Sequence, residues 1–377
     1  MSIRKVEAEI PIRGQARDLI AVRPVVERWL ARTLPAARDL RVTDVRTPAG
    51  AGVANETLMV DTVQAIDDTE RPVGYVIRVD TPEHLFMDTD ILVHYRMYEA
   101  LGQEPGIPVP RVLAFEHDTG ILGQRFFLME RIEGRVPPDN PPYQLDGWVT
   151  QISTEERRAI WHATVDVMAR IHAVDPARLP FLQRPHLGRT GLEQEYNYWV
   201  NYSRWCGSDR HRIVEAGRAW LADHFPQDPP TGLSWGDARP QNVMFQGTRI
   251  AAIFDWDMVS LAGPDVDLAW WQIMDQPFTV CRGLPRLDGI GNPRETVELY
   301  ESISGRKTRD LHWHAVFNAY RLSSILIRLP TLLQRAGMYT PEMEYMFTNN
   351  TGIQWLAGLL DLAPAGELTT PWVGWDK

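Results

Sequence analysis

The chain of 377 residues is long enough for two lobes and a large core. Hydrophobic residues make up 44% and charged residues 23% of it, a balance that is ordinary for globular proteins and excludes disordered, collagen-like and repeat classes. The 39 basic and 49 acidic residues give a net charge of −10, which argues against non-specific binding to nucleic acid or anionic membranes. The same charge mildly favours a cationic small partner, or simply reflects solubility.

From the sequence we expect neither a membrane span nor a signal peptide. No apolar run approaches the roughly 20 residues that span a bilayer, and residues 1–15 carry charges without the apolar core of a signal peptide. The two cysteines, Cys206 and Cys281, are expected to be free thiols in a reducing compartment. We therefore predict a cytoplasmic protein, with a monomer as the default state.

The first third of the chain is mainly strand-like. A helix is expected within residues 16–34, interrupted by Pro24. Three strand-like segments follow, and after them comes one helix that ends at Gly102. Two more strands are expected within residues 108–134. This order predicts a small sheet with one inserted helix.

The remainder of the chain has helical periodicity. A Pro-rich loop after Gly134 precedes a long amphipathic helix whose start Ser153 or Thr154 could cap. Further helices follow, broken by one short β-hairpin within residues 242–256. The sequence thus predicts an α+β protein with a predominantly helical second part.

The change of pattern divides the chain into two predicted lobes. The N-lobe is expected at residues 1–130, the hinge at 131–135 and the helical C-lobe at 136–377. A cleft between two lobes is a common place for a ligand site.

The segment "LSWGDARPQNVMF" (residues 233–245) places Asp237 in a Gly-Asp turn and Asn242 five residues later. The apolar runs "NVMF" and "IAAIFDWD" flank a turn, and as a hairpin they would bring Asn242 and Asp255 side by side. Carboxylate and amide oxygens suit Mg²⁺, which typically binds substrate phosphates through one or two carboxylates. A carboxylate outside the metal shell can orient a hydroxyl and accept its proton. The spacing matches the layout of a phosphoryl-transfer site.

Several segments in order, "FFLMERIEGR", "MARIHAVDPARL", "WGDARPQN", "IFDWD" and "GPDVDLAW", resemble motifs of the aminoglycoside phosphotransferase and choline-kinase-like family. The resemblance implies a protein-kinase-like bilobal fold with an antiparallel N-lobe sheet. It implies ATP- and Mg²⁺-dependent transfer of the γ-phosphate to a hydroxyl of a small molecule. Carried over by position, Asp237 is the catalytic base, and Asn242 and Asp255 hold Mg²⁺. Asp257, two residues further, is a secondary ligand candidate.

The resemblance also indicates the nucleotide site. The segment "TPAGAGVANETLMV" looks like the family's glycine turn, which would bring Gly50 and Gly52 near the phosphates. The strand "YVIRVD" offers Arg78 as the phosphate-binding cation in place of the usual kinase Lys. The adenine is expected at the hinge, with backbone groups near Glu130 and Ile132 as hydrogen-bond partners and with Val60 and Val76 as apolar walls.

Two positions depart from the family pattern. His94 stands where a helix should supply the Glu that pairs with the cation, although Asp90 or Glu99 could substitute. Trp235 stands where the family's catalytic loop has a His, which is generally an architectural residue. Neither departure removes the base or the metal ligands. Together they motivate an alternative, a nucleotide-binding, pseudokinase-like regulator with little turnover.

The acceptor is expected in the C-lobe near Asp237. Candidate acceptor residues lie in "LEQEYNYWVNYSRW" and "DLAWWQIMDQPF": Tyr198, Trp199, Tyr202, Trp270, Trp271 and Asp275. Aromatic faces with nearby carboxylates would suit an amine-bearing or sugar-like acceptor, such as an aminoglycoside. Aromatic packing in the core is the alternative for the first segment. Asp267 is expected to brace the catalytic loop through backbone groups, and His172 to serve packing and hydrogen bonding.

Overall fold

The computed structural model describes residues 17–48, 55–279, 281 and 283–374. The chain forms two compact units, each made of segments that are separate in sequence. Unit one contains residues up to 96, residues 110–131 and residues 332–339; unit two contains residues 97–109, 132–331 and those from 340 onward. The sequence-based boundaries at 1–130, 131–135 and 136–377 stay a prediction.

Unit one is built on a five-stranded antiparallel sheet. Its strands are β1 (Arg38–Arg46), β2 (Glu56–Ile66), β3 (Thr69–Val79), β4 (Val112–Glu116) and β5 (Phe126–Glu130). The helices along this part of the chain are α1 (Leu19–Thr33), α2 (Ile91–Leu101) and α3 (Thr119–Leu122). The strand order in the sheet is β1-β2-β3-β5-β4. Helix α2 lies between β3 and β4 in sequence, so the predicted sheet with an inserted helix is confirmed.

Helix α1 is continuous, which corrects the expected interruption at Pro24. Asp18 caps its start by accepting from the backbone N–H groups of Ile20 and Ala21. Val26 and Trp29 belong to the same buried apolar cluster as residues of the sheet. This packing holds the helix together although an internal proline costs about 3 kcal/mol.

Unit two is mainly helical. Its chain segments carry α4 (Trp148–Gln151), α5 (Thr154–His172), α6 (Gly191–Cys206), α7 (Arg212–Asp223), β6 (Val243–Gln246), β7 (Arg249–Ile253), α8 (Pro264–Asp275), α9 (Pro293–Ser304), most of α10 (Leu311–Arg335), α11 (Tyr345–Thr348) and α12 (Thr351–Leu359). Ser153, and not Thr154, caps α5 in a reciprocal capping box with Glu156. No helix within the described ranges has both the length and the apolarity to cross a membrane.

The predicted hairpin is confirmed and fixes the ends of two candidate site segments. Strands β6 and β7 pair antiparallel, with Val243 opposite Ile253. The pairing continues where Phe254 N donates to Asn242 O at 3.0 Å. The residues on either side of the hairpin, including Asn242 and Asp255, are therefore held at one end of it.

Candidate active site

The backbone of the loop before β6 is held by its neighbours. Ser234 and Ser260 exchange backbone hydrogen bonds of 2.9 and 3.2 Å. Gly236 has φ of 96°, and a Cβ there would lie 2.1 Å from the Met258 carbonyl oxygen. A side chain at Gly236 would both clash and strain the backbone, so the glycine of the Gly-Asp turn is required by geometry.

Asp237 is buried and held by donors on both carboxylate oxygens. Its Oδ1 accepts from Trp270 Nε1 at 2.6 Å. Its Oδ2 accepts from Asn242 Nδ2 at 2.7 Å and from Arg239 Nε at 2.9 Å. These bonds fix the orientation of the carboxylate, as a positioned base requires.

Asn242 and Asp255 present oxygens suited to a metal ion. Because Asn242 Nδ2 donates to Asp237, its Oδ1 faces away from that bond, and within the described residues Oδ1 accepts no hydrogen bond. Asp255 is half-buried, and its removal from water and the repulsion of Asp257 and Asp237 raise its pKa to about 8. A cation bound here would relieve this repulsion, so the donor set fits Mg²⁺.

The expected strand geometry of Asp255 and Asp257 is not found. Strand β7 ends at Ile253, and Asp255 has φ of 65° in the left-handed region. Asp257 N donates to Asp255 Oδ1 at 3.3 Å, so a turn, and not a shared strand face, brings the two together. No group of three or more His, Cys, Asp or Glu side chains in the described part of the chain could hold a metal ion. A Mg²⁺ site made of one Asn and one Asp needs no such group, because phosphates and water complete it.

The predicted bracing role of Asp267 agrees with its contacts. Its carboxylate accepts from Trp235 N at 2.6 Å and from Gly236 N at 2.8 Å. His172 Nε2 contacts the same carboxylate at 2.8 Å, and its Nδ1 contacts Tyr300 Oη at 2.9 Å. All these groups are buried, so the backbone just before Asp237 is tied to α8, α5 and α9.

Trp235, the departure from the family's His, also supports the loop. Its Nε1 donates to the carbonyls of Phe254 and Asp255 at 2.8 and 3.0 Å. The indole therefore joins the backbone next to Asp237 to the backbone of Asp255, the predicted metal ligand. This contact explains how a Trp serves an architectural function at this position.

Arg239 is a site residue that we did not predict from the sequence. Its guanidinium bridges Asp237 and Asp139, with N–O distances of 2.9 and 2.6 Å, and it is largely buried. The signal available in the sequence was the Asp-x-Arg spacing within "GDARP". Asp139 lies 100 residues away in the Pro-rich loop, so its part in the bridge was not visible.

In unit one, Arg78 is half-buried and has one hydroxyl partner. Its Nη1 donates to Thr57 Oγ1 at 2.7 Å, and among the described residues no carboxylate pairs with it. Asp90, a candidate substitute for the family's Glu, pairs with Arg125 at 3.2 Å instead. Glu99 is exposed. The guanidinium of Arg78 is thus available to an anionic ligand.

The two predicted apolar walls lie on opposite faces of the sheet. Val60 pairs with Tyr75, and Val76 is the next residue on β3, so period-two alternation points Val60 and Val76 apart. Val60 is fully buried in the cluster that includes α1. Val76 shares the face of Arg78, two residues away, and is flanked there by its partners Met59 and Met129.

The other residues predicted to contact the nucleotide differ in their surroundings. The Glu130 backbone N–H already donates to Arg111 O at 3.0 Å, and its Oε1 accepts from Arg111 N at 3.0 Å. Ile132 is half-buried in the irregular segment after β5. Gly50 and Gly52 lie outside the described residues.

Comparison with known protein families shows which family the chain belongs to. The model of the phosphotransferase enzyme family (APH) matches residues 47–287, more than half of the chain. The chain belongs to this family. The matched range includes Arg78, Asp237, Asn242 and Asp255. The protein-kinase-like α+β fold predicted from the motifs is confirmed.

Solved structures agree on the phosphotransferase fold. A Ralstonia eutropha protein assigned as an aminoglycoside phosphotransferase aligns with a TM-score of 0.65 and 24% identity, over 86% of this chain and 93% of that one. An amicoumacin kinase in complex with AMP-PNP, Ca²⁺ and Ami aligns with a TM-score of 0.53 and 14% identity, over 92% and 96% of the two chains. At these identities the likeness shows the fold alone.

Curated relatives are much longer than this chain. Acyl-CoA dehydrogenase family member 10 of Mus musculus is 28% identical over 247 residues, which are 62% of this chain and 22% of the relative. Acyl-CoA dehydrogenase family member 11 of Homo sapiens is 25% identical over 289 residues, 74% of this chain and 34% of the relative. The chain thus spans about a third or less of these relatives.

Three aromatic residues of α6 that were predicted to bind the acceptor are buried. Tyr198, Trp199 and Tyr202 of α6 are at most 7% exposed. Arg184 lies over the Tyr198 ring, with Cζ 4.4 Å from its centroid, and Arg321 lies 4.9 Å from that of Trp199. Trp199 Nε1 donates to Glu195 at 2.7 Å. Cations already cover two of these faces, and their assignment to the acceptor stays a prediction.

The other three predicted acceptor residues have different surroundings. Trp270 donates to Asp237, the predicted base, as described. Trp271 lines an apolar cavity of about 20 Å³, room for about one water molecule. The side chain of Asp275 is only 7% exposed, forms an ion pair with Arg286 and accepts from Thr279 Oγ1 at 3.2 Å. Burial raises the pKa of Asp275. Of the three, only Trp270 contacts the proposed catalytic residues.

Proposed function

We propose that this protein transfers the γ-phosphate of ATP to a hydroxyl of a small molecule in a Mg²⁺-dependent reaction. The observation that carries the proposal is the set formed by Asp237, Asn242 and Asp255 in a member of a phosphotransferase family. The Asp237 carboxylate is buried and accepts hydrogen bonds from three donors. Asn242 Oδ1 and the Asp255 carboxylate can bind a cation. This arrangement suits a base beside a metal-bound phosphate.

In the proposed reaction each residue has a distinct task. Asp237 orients the acceptor hydroxyl and takes its proton. Asn242 Oδ1 and the Asp255 carboxylate hold the metal, with Asp257 as the secondary candidate. Bound Mg²⁺ supplies positive charge against the oxygens of the transferred phosphoryl group. Asp267 keeps the loop that carries Asp237 in place.

On the nucleotide side, Arg78 grips phosphate oxygens with its uncommitted nitrogens. Val76 contacts the adenine from the sheet face that also carries Arg78. Met59 and Met129, its neighbours on that face, are further candidates for apolar contact with the adenine. Backbone groups near Ile132 are the better hydrogen-bond candidates, because the N–H of Glu130 is already used by Arg111. Gly50 and Gly52 stay predicted phosphate contacts.

The acceptor is a hydroxyl-bearing small molecule, and two classes deserve testing. The net charge of −10 supports an amine-bearing acceptor such as an aminoglycoside, although Asp275 is ion-paired with Arg286. The names of the curated relatives concern acyl-CoA dehydrogenases, which supports including hydroxyacyl thioesters. The cytoplasmic location and the monomeric state stay predictions from composition.

A nucleotide-binding regulator with little turnover is the second candidate. The observation that favours it is the lack of a carboxylate partner for Arg78 within the described residues, since kinases use such a pair to place the cation. The contacts of Trp235 favour the enzyme instead, because its indole holds the loop of Asp237 against the backbone at Phe254 and Asp255.

The experiment that separates the two is ADP release from Mg·ATP against aminoglycosides, amino alcohols, sugars and hydroxyacyl thioesters. Acceptor-dependent release that disappears in the Asp237→Ala variant would support the transferase and name its acceptor class. We expect this variant to lose about 10²–10⁴-fold in turnover and to keep its ATP affinity. Tight ATP binding without a response to any acceptor would favour the regulator.

A further inference from the structure

The indole of Trp270 in α8 contacts the proposed base directly. Its Nε1 donates to Asp237 Oδ1 at 2.6 Å, and Trp270 and Asp237 are only 3% and 8% exposed. Among the described residues it is the only donor to Oδ1. A charge-assisted hydrogen bond of this length in a buried site fixes the direction of the carboxylate.

The two oxygens of Asp237 are therefore not equivalent. Each carboxylate oxygen offers two lone-pair positions. Oδ2 uses both, because Asn242 and Arg239 donate to it. Oδ1 uses one, for Trp270. The remaining lone pair on Oδ1 is the position open to an acceptor O–H.

Arg321 of α10 lies behind the indole. Its guanidinium is fully buried, with Cζ 5.1 Å from the centroid of the Trp270 ring and 4.9 Å from that of Trp199. Its Nη1 donates to Asn318 Oδ1 at 2.9 Å and its Nη2 to Gly236 O at 3.5 Å, whereas Nε has no hydrogen-bond partner. No described carboxylate lies within ion-pair distance of the guanidinium. A buried cation without a paired carboxylate costs stability. Its stacking against Trp270 fixes the plane of that ring.

We propose that Trp270, supported by Arg321, is the positioning residue that makes Asp237 Oδ1 the proton acceptor. This inference rests on the proposed function. In the step, the acceptor O–H bond breaks and its proton moves to Oδ1. The hydroxyl oxygen bonds the γ-phosphorus, and the bond from that phosphorus to the bridging oxygen breaks, so that ADP leaves with the electron pair. Trp270 touches neither ATP nor acceptor in this scheme and acts through Asp237.

The first test compares Trp270→Phe with Trp313→Phe. Both residues are 3% exposed, and Trp313 Nε1 also donates a hydrogen bond, to Leu221 O at 3.1 Å. Each change removes one buried indole N–H and keeps an aromatic ring. We expect Trp270→Phe to lower kcat about 10–100-fold, with KM for ATP and acceptor within about twofold, because the base loses its orientation. Trp313→Phe should lose stability without a comparable loss of kcat.

Arg321→Met is the second variant. This change removes the cost of burying a cation that has no paired carboxylate, so we expect the fold to tolerate it. A positioning role predicts a lower kcat without a lower Tm, whereas a merely structural role predicts that both fall together. A fall in Tm with unchanged kcat would remove Arg321 from the proposal.

A spectroscopic readout separates this inference from the proposed function. The ¹⁵N-indole resonance that disappears in Trp270→Phe should shift in Asp237→Asn, and it should be protected from hydrogen exchange. In the Asp237→Asn background, Trp270→Phe should cause no further loss of turnover. An unshifted resonance, or an unchanged kcat in Trp270→Phe, overturns the inference while the transferase stands. If no acceptor is phosphorylated, the proposed function fails and the positioning role with it, even if the resonance shifts.

Discussion

The loop that carries Asp237 and the strand that carries Arg78 are organised in opposite ways. In the loop, Asp237 receives three hydrogen bonds and Asp267 accepts two from backbone groups, all within a buried network. On β3, Arg78 is half-buried and has one hydroxyl partner. The loop is thus held by hydrogen bonds within the protein, whereas most nitrogens of the Arg78 guanidinium are left for a ligand. Preorganised groups suit the chemical step, and uncommitted ones suit binding.

This difference predicts two kinds of variant. Changes in the loop or in the residues that contact it should affect stability or kcat, because these groups are joined by hydrogen bonds. Changes at Arg78 should affect the KM for ATP and leave the fold intact. The first three of the following predictions test this contrast, and all four run from the largest expected effect to the smallest.

Asp267→Ala should cost about 3–5 kcal/mol of unfolding free energy, because it leaves His172 and two buried backbone N–H groups without their acceptor. Urea denaturation measures this cost. The matched control is Asp166→Ala, which removes an exposed carboxylate paired with Arg170 and should cost less than about 1 kcal/mol. Equal effects of the two changes would mean that the network around Asp267 does not brace the loop.

Asp255→Asn should separate stability from activity. It removes the repulsion among Asp255, Asp257 and Asp237, so the metal-free protein should become more stable. Turnover should fall more than about 100-fold, because a metal ligand is lost. Mg²⁺ should raise the Tm of the unaltered protein and not that of the variant. A variant that Mg²⁺ stabilises equally would show that Asp255 is not a ligand.

Arg78→Met should raise the KM for ATP about 10–100-fold, the value of a charge-assisted hydrogen bond, with little change in Tm. Arg78→Lys should recover part of the loss, since it keeps the charge but not the bidentate fork. Thr57→Val is the control: it removes the hydroxyl partner but leaves the cation, so KM should change less than about threefold. An unaffected KM in Arg78→Met would favour another phosphate-binding group.

His314 in α10 tests how a buried imidazole affects the pH dependence of stability. Its side chain is buried, its Nδ1 has no hydrogen-bond partner, and burial lowers its pKa to about 3. Since the unfolded chain binds the proton more readily, stability is complete above the ordinary pKa near 6.5 and falls as the pH drops towards 3. The slope is at most about 1.4 kcal/mol per pH unit. Denaturation of His314→Gln from pH 7 to 5 should show a flatter dependence; equal slopes would contradict the prediction.

Local spacing in the sequence was enough to predict that part of the candidate site lies together. Asp237, Asn242 and Asp255 lie within one loop and one hairpin, so turn residues and apolar alternation placed them together. The sheet faces were a harder case, because Val60 and Val76 stand on different strands. Only the observed register, with Val60 opposite Tyr75, shows that they point apart.

The sequence by itself predicted the fold class and the family, both of which are confirmed, because these follow from short-range patterns. The base and metal ligands that the same patterns indicate stay a prediction. The tertiary structure alone decided what surrounds them. Trp270 lies 33 residues from Asp237, Arg321 lies 85 residues from Gly236, and Asp139 lies 100 residues from Arg239. Contacts between such distant positions depend on how helices pack, and packing is set by side-chain shape in three dimensions, which no local spacing encodes.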